Sequence, residues 1–511
     1  MPRRPRGVLL PPVRANRVRR RDLYRALRNA VLDGVLAAGA RLPSSRQAGV
    51  DYGVSRGLVE EVFGQLTDEG FLERAVGRGT FVAARAARLV VPAADGDRRR
   101  RHPPAPSRRG RALIADAACR EPPTPRPFNA GVADTGDFPW KIWQRVHARA
   151  ARELGPAALG FADPRGLPAL RAAIARHLAQ LRGIRCTAEQ VIVFNSAQQA
   201  LYALAVLLLE RGDGVWVEDP GYPGARAAFE LAGAAIVPVP VEDDGMRVDV
   251  GVRRAPRARL AYATPSHQYP TGVALGLERR IALLDWAART DSWVVEDDYD
   301  GEFRYAGQPL TALHSLDLHG RVLYLGTLSK AMFVSLRLAY AVVPADLVEP
   351  LATLRTHLDG FTPALPQMAM SLFMDEGYFA SHLRRMRAAY GAKRAELCDG
   401  LAPLAARGWT WSSNPAGLHL LVRHPDGDAV RAVAAASGLD LALLGAYRAE
   451  PARDDGLFLR FGGLDGPSLR AGIAALVAAA RGVNTARSRS APRSDRRRPT
   501  GNGGSARGSG R

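Results

Sequence analysis

The chain has 511 residues, too many for one hydrophobic core, so two or more domains are expected. Its 47% apolar content is ordinary for a globular chain, and the apolar run Leu201–Leu209 is too short to span a bilayer, which argues against a membrane protein. The formal charge of +21 is concentrated in three segments: 1–21 holds eight arginines and no acid, 85–126 eleven arginines against four acids, and 483–511 eight arginines against one, while the remainder is net −1.

Those basic segments are rich in Arg, Pro, Gly and Ser and poor in aromatics, the composition of disordered tethers. Such tethers also suit DNA, because arginines release counterions from phosphates. Cys119, Cys186 and Cys398 are far apart and form no CxxC, so a disulfide framework and a cysteine zinc site are not expected, in keeping with a reducing cytoplasm. Val8-Leu9-Leu10 is too short an apolar stretch for a signal peptide.

Five zones follow in chain order, with no internal repeat: a basic arm over 1–20, a small periodic block over 21–84, an Arg/Pro linker over 85–126, a long strand-helix block over 127–482, and a basic tail over 483–511. In the small block, Leu23, Leu27, Ala30 and Val31 recur at helical spacing. Ser44 with Gln47 predicts a capping box, and that helix should stop near Gly53. Ser55 should cap the next helix, with Val54 and Val59 as a staple and Val59, Val62, Phe63 and Leu66 as its buried stripe. Two short strands are expected at 70–73 and 80–82, around Gly77-Arg78-Gly79. Three helices and a two-stranded wing make a winged helix-turn-helix, whose recognition helix begins at Ser55, Arg56 and Gly57.

The wording Leu42-Pro43-Ser44-Ser45-Arg46, Val54-Ser55-Arg56, Asp68-Glu69-Gly70-Phe71 and Gly77-Arg78-Gly79-Thr80-Phe81-Val82 resembles the DNA-binding domain of GntR-type bacterial repressors. The resemblance implies that Arg46, Ser55, Arg56, Gly57 and the wing residue Arg78 contact double-stranded operator DNA. Glu60 departs from the pattern, standing where some relatives place an arginine. A carboxylate there must face away from phosphate or accept from a cytosine amine. The block carries seven arginines against eight acids over 22–84, so affinity must come from a few placed arginines, the flanking arm and dimerisation.

In the long block, apolar strand candidates at 191–194, 215–217, 260–263, 293–295 and 322–325 alternate with helical patterns. That rhythm predicts an α/β domain with a mostly parallel sheet and flanking helices, its ligand site beyond the carboxyl ends of the strands. Asn195-Ser196-Ala197-Gln198 runs from a strand into a helix N-terminus, a place for a phosphate. Tyr222, in Asp219-Pro220-Gly221-Tyr222, could stack on a flat ring, and His267 reads as a hydrogen-bonded loop histidine. Lys330 closes Gly326-Thr327-Leu328-Ser329-Lys330, Asp297 and Tyr299 close an upstream strand, and Arg337 follows seven residues after the lysine. An amine, an acid, a phenol and a guanidinium are what a pyridoxal phosphate site needs: Schiff-base partner, pyridinium partner, ring-oxygen partner and phosphate partner.

GlyPheAlaAspProArgGly at 160–166, GluAspProGlyTyr at 218–222, ThrProSerHisGln at 264–268, AspAspTyrAsp at 297–300 and GlyThrLeuSerLys at 326–330 resemble the aminotransferase class I-like, fold type I domain of the MocR subfamily of GntR regulators. The resemblance implies a smaller C-terminal α+β domain, a homodimer, and pyridoxal 5'-phosphate as cofactor. It assigns Lys330 the covalent bond, Asp297 the ring nitrogen, Tyr299 the ring oxygen and Tyr222 one ring face. Ser196, Ala197, Gln198, Thr327, Ser329 and Arg337 fall to the phosphate, and Arg460 to the carboxylate of an amino-acid effector. Phe161, Ser196, Val334 and Ala339 replace a tyrosine, a glycine, a proline and a glycine of the family pattern. The expected function is a cytoplasmic DNA-binding transcriptional regulator that senses a small amine, an amino acid or the cofactor. The alternative is a pyridoxal phosphate-dependent aminotransferase carrying a DNA-binding head, and the residues leave open whether a transamination half-reaction occurs.

Overall fold

The computed structural model describes Pro11 and residues 18–89, 105–115, 126–129, 131–308 and 310–490. Most of the N-terminal arm, the middle of the linker with Cys119, and the tail beyond Ser490 lie outside the described residues. The chain divides into two compact units between Ser107 and Arg108.

The first unit contains α1 (Arg20–Leu32), α2 (Ser45–Tyr52), α3 (Arg56–Asp68), β1 (Leu72–Ala75) and β2 (Gly79–Val82). Leu23, Leu27, Ala30 and Val31 of α1 pack on Val59, Val62, Phe63 and Leu66 of α3, the two stripes read from the sequence. Ser44 Oγ accepts from Gln47 N and Ser55 Oγ from Leu58 N, and Gly53 ends α2 in the left-handed region at φ 62°. The Ser44–Gln47 capping box is half made, because the Gln47 side chain donates to Asp51 instead. The first wing strand begins at Leu72 rather than 70, since α3 runs on to Asp68 and Gly70 turns the chain at φ 77°. β1 and β2 pair antiparallel from Leu72↔Val82 to Ala75↔Gly79. Residues 39–42 add a third edge to this wing through Leu42 N→Thr80 O and Val82 N→Ala40 O. Ala86 is buried in the same core, so the unit's packing continues into the basic stretch.

In the second unit β3 (Val191–Phe194), β4 (Gly214–Asp219), β5 (Ala235–Glu242), β6 (Gly245–Met246), β7 (Leu260–Ala263), β8 (Trp293–Asp298), β9 (Val322–Thr327) and β10 (Ala339–Val342) form one sheet. Its order is β3-β10-β9-β8-β7-β4-β5-β6. β5, β4, β7, β8 and β9 run parallel, while β10 is antiparallel to both neighbours. The helices are α4 (Arg108–Ala115), α5 (Trp140–Leu154), α6 (Pro168–Arg182), α7 (Ala197–Leu208), α8 (Pro223–Ala232), α9 (Val248–Arg254), α10 (Leu277–Thr290), α11 (Ala345–Leu358), α12 (Ala364–Asp375), α13 (Tyr378–Leu401), α14 (Gly427–Ala436) and α15 (Gly466–Ser490).

Alternate strand residues bury into opposite layers, as strand periodicity requires. Phe194, Val217, Tyr262, Val295 and Leu323 pack on Leu201 of α7, Phe229 of α8 and Leu351 of α11. Trp216, Ala261 and Val294 pack on Leu283 and Trp286 of α10, with the two indoles stacked 3.9 Å apart. Both faces being covered explains the continuous apolar runs of these strands. β5 escaped the sequence reading because Pro238 and Pro240 interrupt it; they are tolerated because β6 pairs only with its last two residues. A smaller antiparallel sheet, ordered β11 (Thr410–Trp411), β12 (His419–His424), β14 (Asp455–Arg460), β13 (Ala442–Leu443), packs with α13, α14 and α15 as the C-terminal α+β part. Among the described residues no helix is long and apolar enough to cross a membrane.

Candidate functional site

Parallel strands deliver their following residues to one end of the sheet. Pro220–Tyr222 follow β4, Thr264–Gln268 follow β7, Tyr299 and Asp300 follow β8, and Leu328–Lys330 follow β9. Across the sheet Phe194 lies beside Ala339 and Ala339 beside Thr327. This register brings the start of α7, the Arg337 turn and the Thr327–Lys330 loop to the same end.

Lys330 Nζ donates to the carbonyl of Gly131 and borders a cleft of about 400 Å³, open mouth included. Tyr269, Tyr299, His419, Phe458 and Arg460 form its walls. Arg460, the last residue of β14, is buried; it donates to Asn129 O (2.9 Å) and Tyr447 Oη (3.0 Å) and lies 5.2 Å from the Phe458 ring centre. Lys330, Tyr299 and Arg460, far apart in sequence, therefore share one cleft.

Four acids crowd this end of β8, and their partners separate their roles. Glu296 accepts the amides of Leu313 and His314. Asp298 pairs with Arg182 Nε at 2.7 Å and accepts from Tyr324 Oη at 2.6 Å. Asp300 contacts His267 Nδ1 at 3.0 Å. Asp297 accepts from Tyr262 Oη at 2.7 Å through Oδ2, while its Oδ1 is buried with no hydrogen-bond partner. A buried carboxylate oxygen without a donor is costly unless a ligand supplies one. Burial pushes the Asp297 carboxyl up to about 7, against the Tyr262 hydrogen bond and helped by the nearby Asp298, Glu218 and Asp300. Burial likewise raises Glu218 to about 7 despite its bonds from Thr264 and Gln268.

Ser196 is the N-cap of α7, its Oγ accepting from Gln199 N at 3.1 Å. Ala197 and Gln198 occupy the first turn, whose amides have no intrahelical acceptors. The Gln198 side chain donates to Gly224 O at 2.7 Å and lies 3.4 Å from Tyr222 Oη, while the Tyr222 ring meets Tyr269 edge-on. Thr327 is buried and its Oγ1 accepts from Ser329 N at 3.2 Å. Arg337 is exposed in the left-handed region at φ 54° and has no ion-pair partner among the described residues. An orphaned carboxylate oxygen, a cleft-lining amine and phenol, and a helix N-terminus flanked by hydroxyls and a guanidinium form a donor set that fits pyridoxal phosphate.

Sequence reasoning did not find Tyr262, Gly131, Tyr269, His419 or Phe458, which no local motif marks. Burial, with His267, Arg460 and Lys330 nearby adding to it, holds the His419 imidazole well below its ordinary range, so it stays neutral.

In the first unit, Arg46 lies in the first turn of α2, Ser55 caps α3, Arg56 and Gly57 open α3, and Arg78 sits in the wing turn; all five are exposed. Arg41, also exposed, packs beside Gly79 of the wing and was not anticipated. Glu60 is engaged within the head: its Oε2 lies 3.1 Å from Arg74 Nη2, and the Ser45 hydroxyl, with Arg74 and Arg56, holds its carboxyl below the usual range.

Residues 131–441 match the family of class I and II aminotransferases, and residues 19–82 match the gntR family of bacterial regulatory proteins. The chain is 38% identical over 460 residues to the probable rhizopine catabolism regulatory protein MocR of Rhizobium meliloti, spanning 89% of this chain and 92% of that one. It is 31% identical over 456 residues to the pyridoxine biosynthesis transcriptional regulator PdxR of Corynebacterium glutamicum, spanning 88% and 93% of the two. Among solved structures it resembles the α-aminoadipate aminotransferase LysN of Thermus thermophilus, complexed with N-(5'-phosphopyridoxyl)-L-leucine. There the TM-score is 0.64 and the identity 27%, over 74% of this chain and 96% of that chain.

Proposed function

Since the chain belongs to the MocR subfamily of GntR-type transcriptional regulators, we propose that its head reads operator DNA while its aminotransferase-like domain binds pyridoxal 5'-phosphate and senses a small amine or amino acid, or the cofactor itself. The observation that carries this reading is the shared cleft of Lys330 and Arg460, an amine and a carboxylate-gripping guanidinium facing one space. When bound, pyridoxal phosphate supplies an aldehyde that captures amines reversibly. Asp297 offers its unpartnered oxygen to the ring nitrogen, Tyr299 its hydroxyl to the ring oxygen, and Tyr222 its ring to one face. Ser196, Ala197, Gln198, Thr327, Ser329 and Arg337 take the phosphate, and Lys330 holds the cofactor until an effector amine competes.

Effector binding alters DNA affinity only if the two states of the protein bind it unequally. The segment joining the two units then sets how tightly the heads are confined around the effector domain. A homodimer is part of the reading: Leu159 and Phe161 are 91% and 97% exposed on one loop, apolar surface that a second copy would cover. A cytoplasmic location follows from DNA as partner.

The competing reading, an aminotransferase with a DNA-binding head, is favoured by the presence of the full reactive set of Lys330, Asp297, Tyr299 and Arg460. Titration with pyridoxal phosphate and then with amino acids and amines, following absorbance and DNA retention together, tests the sensor. The expected result is an effector-dependent change in both, with at most about one product per site when a keto acid is added. Many turnovers per site favour the enzyme, and an effector that changes absorbance but never DNA binding overturns the sensor. For the head, Arg56→Ala is expected to reduce preference for duplexes selected by the wild-type protein from a random pool by roughly 1–3 kcal/mol. Unchanged preference in that competition assay removes Arg56 from base readout.

A further inference from the structure

Behind Tyr299 sits a buried pair that the roles above leave unused. His267 Nδ1 lies 3.0 Å from Asp300 Oδ2 and also 3.0 Å from Tyr299 Oη. A single ring nitrogen carries either a hydrogen or a lone pair, so it cannot donate to the carboxylate and accept from the phenol at once. Accepting the Tyr299 proton would leave Asp300, only 2% exposed, facing a lone pair. Donating to Asp300 makes a charge-assisted bond instead.

The ring has little freedom to choose another position. A Cβ on Gly417, whose φ is 79°, would overlap His267, and one on Gly272 would lie 3.1 Å from its Nε2. His419 lies beside it, the two ring centres 4.7 Å apart and the planes tilted by 37°. Burial and the neighbouring Asp300 hold the Tyr299 phenol well above its ordinary range, so its hydrogen is retained.

Resting on the reading of the cleft as a pyridoxal phosphate site, we infer that Asp300 and His267 are a positioning pair: Asp300 keeps the His267 proton on Nδ1, and the Tyr299 hydroxyl is thereby left to donate its own hydrogen to a ring oxygen bound beside Lys330. His267, Asp300 and His419 also bring three possible metal-ligand atoms within 4.8 Å. Two of those atoms are spent on each other, however, and the cations Lys330 and Arg460 border the third residue, which disfavours a dication. Among the described residues, the other titratable or charged groups bordering the arrangement are Asp297, Glu218, Tyr269, Tyr305, His419, Lys330, Arg460, Arg182 and Arg304, and all are unchanged in the variants below.

The test uses full-length protein labelled with nitrogen-15 at histidine, without cofactor. The wild type is expected to show a far-downfield imidazole N–H resonance, assigned by its loss in His267→Gln. That resonance should persist in Tyr299→Phe and move upfield or vanish in Asp300→Asn. Loss in Tyr299→Phe, or persistence unshifted in Asp300→Asn, overturns the pair; should Asp300→Asn not fold, Tyr299→Phe alone decides. With pyridoxal phosphate added, Asp300→Asn is expected to bind about tenfold more weakly, as expected for one charge-assisted bond, and to shift the pH midpoint of its absorbance in the same direction as Tyr299→Phe. An unchanged affinity and midpoint also overturn the pair. If wild-type protein binds no pyridoxal phosphate, the reading of the cleft falls, while the cofactor-free spectra still decide the tautomer.

Discussion

Lys330→Ala is expected to abolish covalent capture of pyridoxal phosphate completely, measured as borohydride-stable label on the intact protein. The amine is the group at this end of the sheet suited to bond an aldehyde at neutral pH, and it borders the cleft that Tyr299 and Arg460 share. The other lysine near this region, Lys393, is committed to Asp134 Oδ2 at 2.6 Å and to Gly462 O at 3.0 Å. An ordinary lysine near ~10.4 is mostly protonated at pH 7. Capture by Lys330 therefore proceeds through its neutral fraction, as for any amine that bonds an aldehyde. DNA binding without effector should change less than about twofold, because none of the exposed head residues is altered. Label retained on the Lys330→Ala protein would sink the assignment.

Asp297→Asn is expected to act in two opposite directions. Without cofactor, the Asp297 carboxyl is raised to about 7 by burial, from an ordinary value of 3.8. A group raised on folding contributes its stability below the unfolded value and loses it as pH rises through the folded one. The cofactor-free protein should therefore lose stability between about pH 4 and pH 7. Asparagine cannot ionise, so the variant should exceed the wild type at pH 8 by up to about 4 kcal/mol, with thermal denaturation across pH as the measurement. Glu218 and Glu296, both raised to about 7, leave a residual slope in either protein. With cofactor the sign reverses: loss of a buried charge-assisted bond to the ring nitrogen should weaken pyridoxal phosphate binding by roughly 10²-fold. Equal stability at pH 8 together with equal affinity would show that Asp297 does not face the ring.

Local chemistry was legible where the deciding partners are near in sequence. Ser44 and Ser55 cap helices because their hydroxyls reach amides three residues on, and Gly53 ends α2 because a left-handed turn suits glycine. The apolar runs at 191–194, 260–263 and 322–325 became central strands because both faces of the sheet are covered. The first wing strand was misplaced by two residues, since the helix before it keeps its hydrogen bonds to Glu69. The antiparallel β10 and the prolines of β5 gave no local sign of their place. Glu60 looked like a liability against phosphate until Arg74 and Ser45 appeared beside it.

By itself, then, the sequence determined two domains, their fold classes, and a lysine, an acid and a phenol at strand ends, because periodicity, caps and strand-end motifs are properties of short stretches. Tertiary structure alone decided which of four crowded acids is left with an unpartnered oxygen, since Tyr262, Arg182 and Tyr324 come from other elements. It also decided that His267 sits between Asp300 and Tyr299 with Gly417 and His419 against its ring. A carboxylate's or an imidazole's role is set by desolvation and by the charges within a few ångströms, and those neighbours are gathered only when the sheet and the C-terminal part are assembled.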